Sequence, residues 1–174
     1  SLLTAGGELS GDKITIINAI ISNSYRIENF NFSDGSTLTW SEIYQQYLTQ
    51  NSTDGDDALI GTEQDNTIDG GLGNDRIEGG RGNDTYIFNL GDGQDVIRDE
   101  AGTDNITFGE GISQAQLTYS LNDNGQFIIS LLTADGTLSG DSITIENTTV
   151  DSDGDGDEDY YNDDGDDFNI NIEH

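Results

Sequence analysis

The sequence predicts an all-β chain: a parallel β-roll of nine-residue turns, capped by β-meander strands and carrying one short helix. Three observations point there. Glycine, an acidic residue and an aliphatic residue recur every nine positions between residues 52 and 107. On either side of that stretch, apolar and polar residues alternate with period two around Asn-Gly and Asp-Gly pairs, the signature of short strands joined by tight turns. Only residues 39–48 space their apolar side chains as a helix would.

The nine-residue period can be written out. From Ser52 the blocks read STDGDDALI, GTEQDNTID, GGLGNDRIE and GGRGNDTYI. After two extra residues, Phe88 and Asn89, the phase resumes as LGDGQDVIR and DEAGTDNIT. The first six residues of each block are turn chemistry, because glycine permits positive φ and close backbone approach, and an acidic residue ends the turn. The last three form a short strand with its middle residue inward, which nominates Leu59, Ile68, Ile77, Tyr86, Ile97 and Ile106 as the core. If two blocks make one coil, alternate blocks stack on the same side about 4.8 Å apart. Asp57, Asp75 and Asp95 then line one edge, and Asn66, Asp84 and Asp104 the other. The competing reading is an acidic, glycine-rich disordered linker, but disorder needs no apolar residue at one phase in six blocks.

Charge narrows the function. The 174 residues include five Lys+Arg against 35 Asp+Glu, a formal charge of −30, which would repel a nucleic acid. With no cysteine the chain has neither disulfides nor thiolate metal sites. Two carboxylates about 5 Å apart repel by roughly 3 kcal/mol at an effective dielectric near 20, so a roll of stacked acids resists forming without cations. A hard dication between the turns reverses that sign. Calcium accepts six to eight oxygens from carboxylates and backbone carbonyls in flexible geometry, whereas magnesium demands a tight octahedron and keeps its waters. Folding and the binding of several calcium ions are then expected to be one event.

The third and fourth blocks fit G-G-x-G-x-D-x-U-x at every specified position, with Tyr86 as the apolar U. On that motif residues 52–107 resemble an RTX, or haemolysin-type calcium-binding, β-roll. The stretch DNITFGEGISQAQLTYSLNDNGQFIISLLTADGTLSGDSITIEN resembles the β-rich region related to haemolysin-type calcium-binding proteins, as does YRIENFNFSDGSTLTW before the repeats. The resemblance implies calcium held between alternate turns by the carboxylates of Asp57, Asp75, Asp84, Asp95 and Asp104, with Asn66 in the same series. It implies further ligands from the turn residues Gly55, Gly70, Leu72, Gly73, Gly79, Arg81, Gly82, Gly93 and Gly102. In the second block Gln64 replaces a turn glycine and Asn66 the aspartate, so a weaker site is expected there. The insertion at Phe88 is expected to disturb the stacking of the fourth and fifth blocks.

The flanks read as strands. Leu117, Tyr119 and Leu121 alternate into Phe127, Ile129 and Leu131 around Asn124-Gly125, and Asp135-Gly136 leads to a third strand at residues 143–145. In the preceding unit residues 14–17, residues 25–32 and the Asp34-Gly35 turn read the same way. Residues 39–48 form the helix, with Trp40, Ile43, Tyr44 and Tyr47 as its apolar stripe packing on the roll or its cap. SLLTAGGELSGDKITIIN at residues 1–18 matches SLLTADGTLSGDSITIEN at 130–147, a constant offset of 129 that suggests a tandem array of units. The expected organisation is residues 1–50 as the end of one β-rich unit with its helix, 51–107 as the roll, and 108–174 as a β-meander cap. The cap carries an acidic loop at about 151–163, where Asp151, Asp153, Asp155, Gly156, Asp157 and Asp159 fit the EF-hand loop pattern. Asn162 stands where a bidentate Glu belongs and no helix is expected on either side, so the expectation is an EF-like calcium loop.

Catalysis is not expected. The one histidine is His174, leaving no internal imidazole for a triad, and the carboxylates are accounted for by a metal-binding period. No apolar run is long enough to span a membrane. The resemblance implies a calcium-dependent folding and stabilising module of a larger secreted bacterial protein, extracellular or on the cell surface and exported through a type I secretion apparatus. The alternative is an adhesin module whose calcium-ordered surface binds glycans, for which Tyr160 and Tyr161 are the best candidates.

Overall fold

The computed structural model describes residues 27–146. The chain divides into two compact units, Ser1–Trp40 and Ser41–His174. The strands expected at residues 14–17 and at the start of 25–32 lie outside the described residues, as does the loop of Asp151, Asp153, Asp155, Asp157 and Asp159.

In the first unit, β1 (Asn29–Asn31) and β2 (Thr37–Thr39) pair antiparallel. Their turn is set by Asp34-Gly35: Gly35 adopts φ +89° and donates to the Phe32 carbonyl at 3.1 Å. The Ser36 hydroxyl and amide both donate to the Asp34 carboxylate, holding its pKa below the usual value.

The helix α1 runs Trp40–Asn51, three residues further than its apolar spacing suggests. Its buried side chains are Tyr44 and Leu48, one turn apart, while Tyr47 is exposed and leans on Tyr44 with ring centroids 5.4 Å apart. The packed face therefore includes Leu48 in place of Tyr47, because the i, i+4 pair points the same way. This face closes the head of the roll by hydrogen bonding. The Tyr44 hydroxyl donates to the Ile60 carbonyl at 2.6 Å. Gln45 acts as a surrogate strand, its Nε2 donating to the Thr67 carbonyl at 2.5 Å and its Oε1 accepting from the Thr67 amide at 3.1 Å. Edge-strand groups that would template aggregation are thereby occupied.

Six strands follow: β3 (Ala58–Thr62), β4 (Thr67–Asp69), β5 (Arg76–Gly80), β6 (Thr85–Phe88), β7 (Gln94–Arg98) and β8 (Asn105–Phe108). β3, β5 and β7 pair in parallel in one sheet, and β4, β6 and β8 in another, so the chain coils from sheet to sheet. Leu59, Ile68, Ile77, Tyr86, Ile97 and Ile106 are each at most 2% exposed, so the middle residue of every block does face inward. The insertion leaves the stacking intact. Leu59 pairs with Ile77 across 18 residues, while Ile77 pairs with Ile97 and Tyr86 with Ile106 across 20. The extra length lets Phe88 extend β6, where it is buried and meets Phe108 edge-on, ring centroids 6.3 Å apart.

Beyond the roll a 3-10 turn (Gln114–Gln116) leads to β9 (Leu117–Leu121), β10 (Phe127–Leu132) and β11 (Leu138–Glu146), an antiparallel meander. The loop between β9 and β10 is held by Asn122, whose Oδ1 accepts from the amides of Asn124 and Gln126 at 3.0 Å each. In the next loop the hydroxyls of Thr133 and Thr137 donate to the Asp135 carboxylate and hold its pKa down to about 2. The meander joins the roll through its last strand. β11 pairs in parallel with β7, giving the order β3-β5-β7-β11-β10-β9. In that register Ile145 continues the inward column opposite Ile97, and Ile143, fully buried, lies opposite Asp95 where the next ligand aspartate would fall.

Candidate metal centre

The sixth residue of each block ends its turn and starts its strand, so the fold stacks these residues into two columns. Asp75 and Asp95 on one edge, and Asn66, Asp84 and Asp104 on the other, are all at most 4% exposed; Asp57, in the first turn, is half-buried. Within each column a carboxylate Oδ1 accepts the amide of the residue one coil earlier. Asp57 N donates to Asp75 at 2.8 Å and Asp75 N to Asp95 at 3.0 Å. Asn66 N donates to Asp84 at 2.7 Å and Asp84 N to Asp104 at 2.8 Å.

Only one oxygen of each carboxylate is used in this way, and the fate of the other divides the turns into two kinds. In the first two blocks a threonine at the second position closes the turn. The Thr53 amide and hydroxyl donate to Asp57 Oδ2 at 2.7 and 2.9 Å, and those of Thr62 to Asn66 Oδ1 at 2.7 and 3.1 Å. The third and fourth blocks have Gly71 and Gly80 there, and the Oδ2 atoms of Asp75 and Asp84 are buried with no hydrogen-bond partner among the described residues. A buried, partnerless carboxylate oxygen is costly, and the cost disappears when a cation binds. The glycine opening each of these blocks leaves the space. A Cβ on Gly70 would run into Asp75 Oδ2, and one on Gly79 would meet Asp84 Oδ2 at 2.6 Å together with Asp99 Oδ2 and the Tyr86 hydroxyl.

The electrostatics agree. Burial, followed by the charges of Asp99, Asp104 and Asp65, pushes Asp84 up to about 7. Burial, followed by Asp75, Asp92 and Asp69, does the same for Asp95, also to about 7. Burial raises Asp75 and Asp92 as well. Groups with folded pKa values above the unfolded value near 3.9 stabilise the folded chain fully below that value, and the contribution is lost as pH rises through about 7. Calcium requires the same oxygens ionised. Acid is therefore expected to replace the ion: circular dichroism in EGTA shows more strand at pH 5 than at pH 8, and calcium affinity falls over the same interval. Equal apo spectra and equal affinities at the two pH values would contradict this.

The turn residues fall into place around the columns. Gly73, Gly82, Gly93 and Gly102 have positive φ and stack tightly coil on coil, a Cβ on Gly93 driving into the Gly73 carbonyl and one on Gly102 into that of Gly82. Gly55 keeps an ordinary φ and has its nearest neighbour at 4.0 Å. Leu72 and Arg81 are exposed; an aliphatic chain has no donor atom and a guanidinium is cationic, so the main-chain carbonyl is the oxygen either can offer a cation. A second pair of columns, absent from the expectation, forms at the fifth position, one on each edge. Asp56 Oδ1 accepts from the Asn74 amide at 2.8 Å and Asn74 Oδ1 from the Gln94 amide at 3.1 Å. On the other edge Asp65 and Asn83 do the same for Asn83 and Thr103, at 2.8 and 3.0 Å. Its signal was the run of Asp or Asn at that position in four consecutive blocks.

Stacked parallel coils with paired, buried, under-satisfied carboxylates between them define a calcium-binding β-roll. The comparisons agree with the geometry. The family model for the RTX calcium-binding nonapeptide repeat matches residues 51–86 and 87–114, and that for the haemolysin-type calcium binding protein related domain matches residues 6–42. Residues 51–114 are RTX haemolysin-type calcium-binding repeats, and these repeats bind calcium. No curated protein matches it.

Proposed function

We propose that this chain is a calcium-triggered folding module of a larger secreted bacterial protein. It leaves the cell unfolded through a type I secretion apparatus and folds outside, where calcium is abundant. Extracellular modules bind calcium at about 10⁻⁴ to 10⁻³ M, which keeps such a chain open in a calcium-poor cytosol. In this reading the carboxylates of Asp75 and Asp95 serve one edge and those of Asp84 and Asp104 the other, with main-chain carbonyls of Gly70, Leu72, Gly79 and Arg81 beside them. Thr53 and Thr62 close the first coil without an ion.

The observation that supports this most directly is the pair of buried Oδ2 atoms on Asp75 and Asp84 that no donor among the described residues satisfies. Both sit in a chain whose formal charge is −30, so the roll has little reason to close until cations arrive. Far-UV circular dichroism at pH 8 is expected to show a largely unfolded chain in EGTA and a strand-rich one in millimolar calcium. A chain equally folded in both would refute the reading.

A further inference from the structure

We propose that the Asp99 side chain, which the nonapeptide repeat does not encode, joins the carboxylates of Asp84 and Asp104 as an added ligand and makes theirs the first calcium site to fill. The proposal rests on the calcium-folding reading and adds which site leads and why.

Asp99 opens the sixth block at a position occupied by Gly61, Gly70 and Gly79 in the second, third and fourth. A glycine there offers a ligand only from its main chain, whereas Asp99 contributes a carboxylate. Its Oδ1 accepts the Ala101 amide at 3.1 Å, fixing the side chain over its own turn, and its Oδ2 accepts from the Tyr86 hydroxyl. Carboxylate oxygens of Asp84, Asp99 and Asp104 lie within 4.8 Å of one another, the only such trio among the described residues. Independently, Asp84 has no exposed surface and its Oδ2 has no hydrogen-bond partner among the described residues. The side-chain space that Gly79 leaves free is bounded by that same oxygen, by Asp99 Oδ2 and by the Tyr86 hydroxyl, so groups from the fourth and sixth blocks converge on one point.

The opposite edge lacks this arrangement. There the fifth block opens with Leu90, half exposed, and Asp92 has its Oδ2 engaged by the Asn89 amide at 2.6 Å. Calcium affinity rises with the number of charged ligands and the rigidity of the site. Three convergent carboxylates, one held by a buried phenol, exceed two on both counts. Tyr86 is a positioning residue: it orients Asp99 and also places an aromatic ring beside the ion. A triply charged site should in addition accept a trivalent lanthanide.

The test uses the full chain and its Asp99→Gly, Asp99→Asn and Tyr86→Phe variants, with calcium titrated by calorimetry against a competing chelator. The tightest binding step is expected to weaken at least tenfold in both Asp99 variants, while saturating calcium still produces the strand-rich spectrum. One equivalent of terbium is expected to emit on tyrosine excitation in the parent chain, and to lose that emission in Asp99→Asn and Tyr86→Phe. A tightest step unchanged in both Asp99 variants, or terbium emission undiminished in Asp99→Asn and Tyr86→Phe, overturns the proposal. Should Asp99→Gly fail to fold, Asp99→Asn decides, since it keeps the size and an acceptor for Tyr86. A parent chain that neither binds calcium nor changes its spectrum defeats the calcium-folding reading itself, which is a different result from normal folding with an indifferent Asp99.

Discussion

Gly93→Ala is expected to leave the chain unfolded at calcium concentrations that fully fold the parent. Gly93 has φ +103°, a conformation that costs an alanine about 1–3 kcal/mol. The new Cβ would also be driven into the main-chain oxygen of Gly73, whose carbonyl carbon is 3.0 Å away, and Gly73 is bridged to Gly93 in the coil stack. A backbone carbonyl cannot swing aside as a side-chain tip can, so the two coils must separate and the Asp75–Asp95 pair separates with them. Gly136→Ala is the internal comparison. Its φ is +83° but nothing lies within 4 Å, so it carries the conformational cost alone. Calcium titrations followed by circular dichroism check both: a Gly93→Ala midpoint no higher than that of Gly136→Ala would mean that coil-to-coil contact is not what the glycine column provides.

Ile77→Ala should cost roughly 2–5 kcal/mol, the usual range for emptying an aliphatic site in a packed interior. Ile77 is 1% exposed and is the middle member of the column Leu59, Ile77, Ile97, with a coil on either side to lose contact. Ile60, on the neighbouring strand position that faces out, is 52% exposed, and Ile60→Ala should stay within about 0.5 kcal/mol. Urea unfolding in saturating calcium separates them. Similar midpoints for the two variants would show that the interior is held by its ions and hydrogen bonds far more than by packing.

The roll was legible because its information is local and repeated. One phase, set by Gly73 and Asp75 and again by Gly82 and Asp84, assigns turn, strand and inward residue in every block. What escaped depends on contacts between distant residues. Nothing in a nine-residue period says that Ser142 would align with Gln94, so β11 was legible as a strand but not as the roll's parallel neighbour. The role of Gln45 was hidden for the same reason: a helical glutamine reads as a solvent-facing residue until the rim amide and carbonyl of Thr67 are brought to it. The stripe of Trp40, Ile43, Tyr44 and Tyr47 passes over Leu48, because apolar spacing alone does not settle which of two adjacent apolar positions turns inward. The departures from the repeat carried the finer detail. Thr53, Thr62 and Asp99 each replace a small turn residue, and each introduces a side chain that a consensus pattern treats as noise.

Ile143, standing in the aspartate register beside Asp95, sets the size of the cooperative unit. Coupling in a stacked array passes only between neighbouring coils, and here the Asp75–Asp95 column meets an apolar residue with no side-chain oxygen to hand on. A Hill coefficient cannot exceed the number of coupled sites. On the edge that ends at Ile143, the steepness of the response to calcium is therefore bounded by the ions of one short stack.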